Sequence, residues 1–130
     1  RGEHEAYADR KQSGRIGVDE TTVPAMYHAY ITPQATGNRT DTRWVNLSDE
    51  QGRGLYINSI KPFEFSALPY SDRVIDNATH LNYLVEDGTV TVHLDAVQSG
   101  VGTATCGPGV QESYRVPLKT HTFEFTLQPR

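Results

Sequence analysis

The side chains able to do chemistry are few in this sequence and widely spaced. Glu64, Glu86, Asp87 and Asp95 offer carboxylates for an acid–base pair, but strands and turns this polar carry such residues on solvated faces. His93 and Asp95 stand two apart on one strand face, a spacing that permits a hydrogen-bonded pair. A metal site would want further ligands nearby, and His4, His28, His80 and His121 are scattered. Cys106 is the single cysteine, which excludes an internal disulfide and a tetrathiolate zinc centre. It sits in Ser99 to Gly109, a run of small residues without periodicity. A loop of that length in a compact β-domain is usually functional or mobile. Trp44 and the tyrosines could stack on a sugar, although aromatic residues in alternating strands more often serve core or cross-strand packing. Asn38, Asn46 and Asn77 each begin a glycosylation tripeptide, a pattern that recurs by accident and needs a secretory route nothing here supports.

Positioning these groups falls to short strands. Tyr30 to Trp44 joins an apolar run, Met26 to Ile31, to a second one, Thr42 to Leu47. Between them lie Pro33, Gly37 and Asn38, which turns select for fixed or positive φ, so the segment predicts a hairpin-like corner. Arg15 to Asp19 reads as a short strand, and Pro24 breaks the pattern before Met26 to Ile31 resumes as an extended run. Asn46 to Tyr56 predicts a hairpin around Asp49 to Gly52. Pro62 closes that strand, and Phe63, Phe65 and Ala67 share one face of the next. Ser71 to Ala78 is the one helical candidate, with Ser71 as cap and Asp72 in the first turn. His80 to Glu86 and Thr89 to Ala96 pair across Asp87-Gly88 as a second hairpin. Thr120 to Leu127 alternates through Phe123, Phe125 and Leu127. About eight short strands and one short helix, without a repeat, predict an all-β antiparallel sandwich.

At 130 residues the chain has room for one domain or part of a larger one. Its net charge of -4, with Arg1, Arg10, Lys11, Arg15, Arg39, Arg43 and Arg53 dispersed among acids, argues against a nucleic-acid partner. No apolar run is long enough to span a bilayer. Arg1-Gly2-Glu3-His4-Glu5 reads like the interior of a longer polypeptide.

Several short strings, in order along the chain, resemble one family. Pro33-Gln34, Gly37-Asn38-Arg39, Asp41 and Arg43-Trp44 are similar to the start of the last part of the C-terminal β-domain of the β-galactosidases of glycoside hydrolase family two. Gly2 to Arg10 is similar to that family's Gly-Pro-x-Glu-x-Tyr-x-Asp-Arg segment with the proline missing. Phe63-Glu64-Phe65-Ser66-Ala67 looks like its Phe-x-Phe-Ser-Ala strand, Asn77 to His80 like the piece before the next strand, and Gly100 to Arg115 like a loop ending in Tyr-Arg-Leu.

The resemblance implies a supersandwich, galactose mutarotase-like, of which residues 1–130 form the second half as a single segment. It implies an enzyme that hydrolyses terminal non-reducing β-D-galactosides such as lactose, through two glutamates of a central (β/α)8 barrel in a retaining displacement. Neither glutamate's setting occurs here, so the segment would hold no catalytic residue and be inactive alone. Magnesium and sodium sites would lie in other domains, with no cofactor in this one. Many members place a Trp of one loop of this domain against the leaving sugar. Here the corresponding place carries Cys106 between Thr105 and Gly107, which become the candidate substrate-binding residues. Partners would be the rest of the β-galactosidase chain and the galactoside, in a homo-oligomer and a bacterial cytoplasm. A stand-alone carbohydrate-binding module and a purely structural sandwich remain competing readings.

Overall fold

The computed structural model describes residues 1–103 and 107–130. Its centre is one long strand, β2 (Gly54–Leu68), flanked by β1 (Arg39–Ser48) on one side. On the other side β3 (Thr91–Asp95) pairs with its C-terminal half and β4 (Thr126–Pro129) with its N-terminal half, all antiparallel. The hairpin expected around Asp49 is present: Asn46 pairs with Tyr56, and the Asp49 carboxylate accepts from the amides of Gln51 and Arg53, both at 2.9 Å. Such an Asp-centred turn supplies the reversal without further tertiary help.

Pro62 does not end the strand. Pairing jumps from Trp44–Asn58 to Thr42–Phe63, so β2 carries more residues than β1 across this stretch. The surplus is a bulge around Ile60, which is 96% exposed. Proline has no ladder donor, and a bulge is one of the few places in a sheet that does not require one. Beyond it Phe63, Phe65 and Ala67 return to the face they share with Ile57. With Met26 they form the buried core, edged by Val45, Leu47, Val92, Leu94 and Phe123.

Among the described residues two α-helices are present where one was expected. α2 (Asp72–Asn77) forms as its sequence predicts: Ser71 Oγ accepts from the Val74 amide, and Ile75 is buried. α1 (Val23–Met26) replaces the start of the extended run, because a proline in the first helical turn lacks a donor that would be unsatisfied there anyway. Its Met26 packs onto β2, and residues 27–31 follow without a strand.

Other expectations are corrected as well. Residues 15–19 form no strand. Residues 80–86 contain a 3-10 turn, Leu81–Tyr83, and β3 pairs with β2 rather than with them. Val92 and Leu94 lie opposite Ala67 and Phe65 and so pack against the buried core face of β2, a burial the exposed stretch at residues 80–86 does not provide. The last strand begins at Thr126, while Phe123 packs against Phe63 with ring centroids 6.4 Å apart. The described residues thus hold four strands in one sheet rather than about eight. The fold is all-β and antiparallel, a sandwich-like fragment with two short helices.

Candidate functional site

The long loop is held at its base by a residue at the opposite end of the chain. Tyr7 and Arg10 bridge across a tight turn, the Arg10 amide donating to the Tyr7 carbonyl at 2.8 Å, and Asp9 sits within that turn. Its carboxylate accepts from the Val101 amide at 3.1 Å and the Gly102 amide at 2.7 Å. Gly100 makes this approach possible: a Cβ there would lie 2.6 Å from the Asp9 carboxyl carbon. The Gly100 amide in turn donates to the Tyr114 carbonyl at 2.8 Å, and the Thr103 amide reaches across the loop to the Pro108 carbonyl at 3.1 Å.

The Asp9 turn is itself anchored by Glu5, whose side chain is only 7% exposed. Glu5 accepts from the Arg10 guanidinium at 2.8 Å, the Gly37 amide at 2.7 Å, the Tyr7 hydroxyl at 3.2 Å and the Tyr30 hydroxyl. Burial, with the Glu5 carboxylate beside it, pushes the Tyr7 phenol well above its ordinary pKa. Next to this hub Ala6 and Asn38 exchange hydrogen bonds, each at 2.9 Å. The buried Arg39 guanidinium donates to the carbonyls of Gly2 and Gly37. The hairpin-like corner expected over Tyr30 to Trp44 is corrected, since residues 27–31 form no strand to pair with β1; within it Gly37 does take a positive φ, and Gly37 to Arg39 fasten the N-terminal segment to the sheet.

The other candidates stay apart or are already engaged. Glu64 and Asp95 face each other in the β2–β3 register, but Glu64 accepts from the Asn38 amide nitrogen at 2.6 Å and Asp95 from Gln98 at 2.8 Å. Glu86 and Asp87 lie exposed beyond α2. Asp87 is drawn down to a pKa of about 2 by hydrogen bonds from Thr89 and Ser71. The permitted His93–Asp95 pair is not made: His93 bonds Ser66 Oγ and the Asp72 carboxylate, both on neighbouring elements. Among the described residues no three His, Cys, Asp or Glu side chains gather as metal ligands. Trp44 is 45% exposed, packs across the strands on Tyr56, at 6.2 Å between centroids, and lines a cleft of about 460 Å³. Thr105 and Cys106 fall outside the described residues, and Gly107 stands beside them in an exposed bend.

Burial raises the Glu64 carboxyl above its ordinary 4.5, a shift the Asn38 hydrogen bond only partly offsets. The folded state then holds this proton more tightly than the unfolded one. Its contribution to stability is full below pH 4.5 and is lost as pH rises through the raised value. Glu64→Gln, which keeps an acceptor for Asn38, is expected to remove that loss. Denaturation midpoints of variant and parent should diverge with rising pH in the variant's favour, and parallel profiles would contradict this origin.

Neither Asp9 nor Glu5 was singled out by the sequence. The only signal was their place in the Glu-x-Tyr-x-Asp-Arg string, since a contact spanning residues 9 to 102 leaves no local mark. An antiparallel sheet with one long loop clamped to its N-terminal segment defines an all-β scaffold. The family description "Beta galactosidase small chain" matches residues 1–127. β-Galactosidases from Priestia megaterium and Kluyveromyces lactis are each 37% identical to this chain, over 99% and 98% of it respectively. β-Galactosidase BgaC of Bifidobacterium adolescentis is 36% identical over 89%. The chain belongs to the β-galactosidase small-chain family. It spans only 13%, 12% and 11% of the lengths of those three relatives. None of its described helices is long and apolar enough to cross a membrane.

Proposed function

We propose that this chain is the non-catalytic second half of the C-terminal sandwich of a β-galactosidase acting on terminal non-reducing β-D-galactosides. In this reading it supports a catalytic barrel elsewhere in the polypeptide, where a retaining pair of glutamates and the magnesium and sodium sites belong. Its own contribution to the substrate pocket is the loop from Gly100 to Gly109, with Thr105, Cys106 and Gly107 on the aglycone side. The full enzyme would be a cytoplasmic homo-oligomer.

The observation that carries the reading is the clamp at the start of that loop, where Asp9 ties Val101 and Gly102 to the N-terminal segment. The engagement of Glu64 and Asp95 with neighbouring amides supports assigning the chemistry to another domain. An indole offers on the order of 150–250 Å² of contact surface, far more than a thiol. In the full enzyme Cys106→Trp is therefore expected to tighten glucose or acceptor binding by about one to two kcal/mol, roughly five- to thirty-fold. Glucose inhibition and transfer to added acceptors read this directly, and unchanged affinities would count against placing the loop at the aglycone. Saturable galactose binding by residues 1–130 alone would favour the carbohydrate-module reading instead.

A further inference from the structure

We propose that Asp9 is a positioning residue for the aglycone side of the pocket, acting through the backbone of the loop. This rests on the loop assignment made above. Two consecutive peptide N–H groups, those of Val101 and Gly102, point at one carboxylate, one at each oxygen. Fixing two adjacent peptide planes fixes the direction in which the chain leaves them, and charge-assisted bonds do so more firmly than neutral ones. The preceding residue is shaped for the same contact, since Gly100 leaves room only for a hydrogen where the carboxylate approaches.

The anchor is itself held by further contacts. Asp9 lies in the Tyr7–Arg10 turn, Arg10 is tied to Glu5, and Glu5 receives the Gly37 amide at the corner that leads into β1. The loop is thus referenced to the sheet through a chain of named contacts. Asp9 need not touch the sugar for its loss to be felt there. Turning the first peptides changes the direction in which the chain leaves the clamp, and a misplacement of about an ångström is enough to weaken a contact with substrate.

The test uses the full-length enzyme carrying Asp9→Asn and, independently, Gly100→Ala. The Asn side chain keeps the shape but turns a donor toward one of the two amides. The Ala methyl group pushes the carboxylate away from the other side of the same contact. Both variants are expected to raise the glucose inhibition constant and the KM for lactose roughly tenfold, the loss of about one charge-assisted bond's worth of order. The kcat for an aryl galactoside and the Tm should change little, and hydrogen exchange at Val101 and Gly102 should accelerate. A residue with a merely structural role would instead lower Tm and leave the KM for lactose and the glucose inhibition constant unchanged.

Three results overturn the proposal. Unchanged exchange at Val101 and Gly102 shows that Asp9 does not hold the loop. If exchange accelerates without a change in glucose affinity while Cys106→Trp does change it, the loop is at the aglycone but Asp9 does not position it. If neither Asp9→Asn nor Cys106→Trp alters glucose affinity, the loop assignment fails and this inference falls with it.

Discussion

Gly37→Ala is expected to destabilise the chain by about 3 kcal/mol or more, read as a shift in the equilibrium denaturation midpoint. Two effects combine. Gly37 holds φ at +78°, a region an L side chain enters at about 1–2 kcal/mol. In addition, a Cβ there would lie 2.5 Å from the Met26 carbonyl oxygen, and backbone cannot rotate aside as a side chain can. Met26 belongs to the core, so relief would have to move α1 against Ile57 and Phe65. The same shift would strain the Gly37 amide's bond to Glu5 and its carbonyl's bond from Arg39. A loss under about 1 kcal/mol, less than the dihedral term alone, would show that the corner relaxes freely and does not organise its surroundings.

Glu5→Ala is expected to lose about 2–3 kcal/mol, because it leaves the Gly37 amide without its acceptor and removes the common partner of two tyrosines and an arginine. The value stays below that for breaking a fully buried ion pair. Arg10 is half exposed, so its orphaned charge returns to water instead of remaining desolvated. The reciprocal change therefore makes a sharper test. Arg10→Ala should cost under about 1 kcal/mol, as an exposed partner does, whereas Glu5→Ala costs several times that. Equal losses would mean that the ion pair, and not the buried acceptor, sustains the hub.

Gly37 is legible in the sequence as a turn residue, whereas the role of Glu5 is not. The Asp49 hairpin and the Ser71-capped helix were legible because their determinants lie within a few residues of one another. An Asx-type turn and a helix cap are settled by bonds that close over two to four positions. The stretch after Pro24 misled because a proline that disqualifies a strand interior also qualifies a helix start, and only the packing of Met26 on β2 decides between them. Pro62 was misplaced for a related reason: the bulge that accommodates it is defined by register against β1, a partner not visible from β2 alone. The Asp87-Gly88 pair predicted a hairpin on sound local grounds, yet β3 was claimed by the apolar face of β2.

Class and lineage were thus set by the order of amino acids itself: alternating apolar positions, turn residues, and short strings aligned with a β-galactosidase scaffold, all of which act locally or persist by descent. Tertiary structure alone decided that the chain's first ten residues grip its last long loop. A carboxylate meets two amides more than ninety positions away only after the sheet and the Gly37 corner have brought both to one side, at distances of 3.1 and 2.7 Å. Such a contact draws its strength from a prepaid chain entropy that folding elsewhere supplies, so nothing within either segment foretells it.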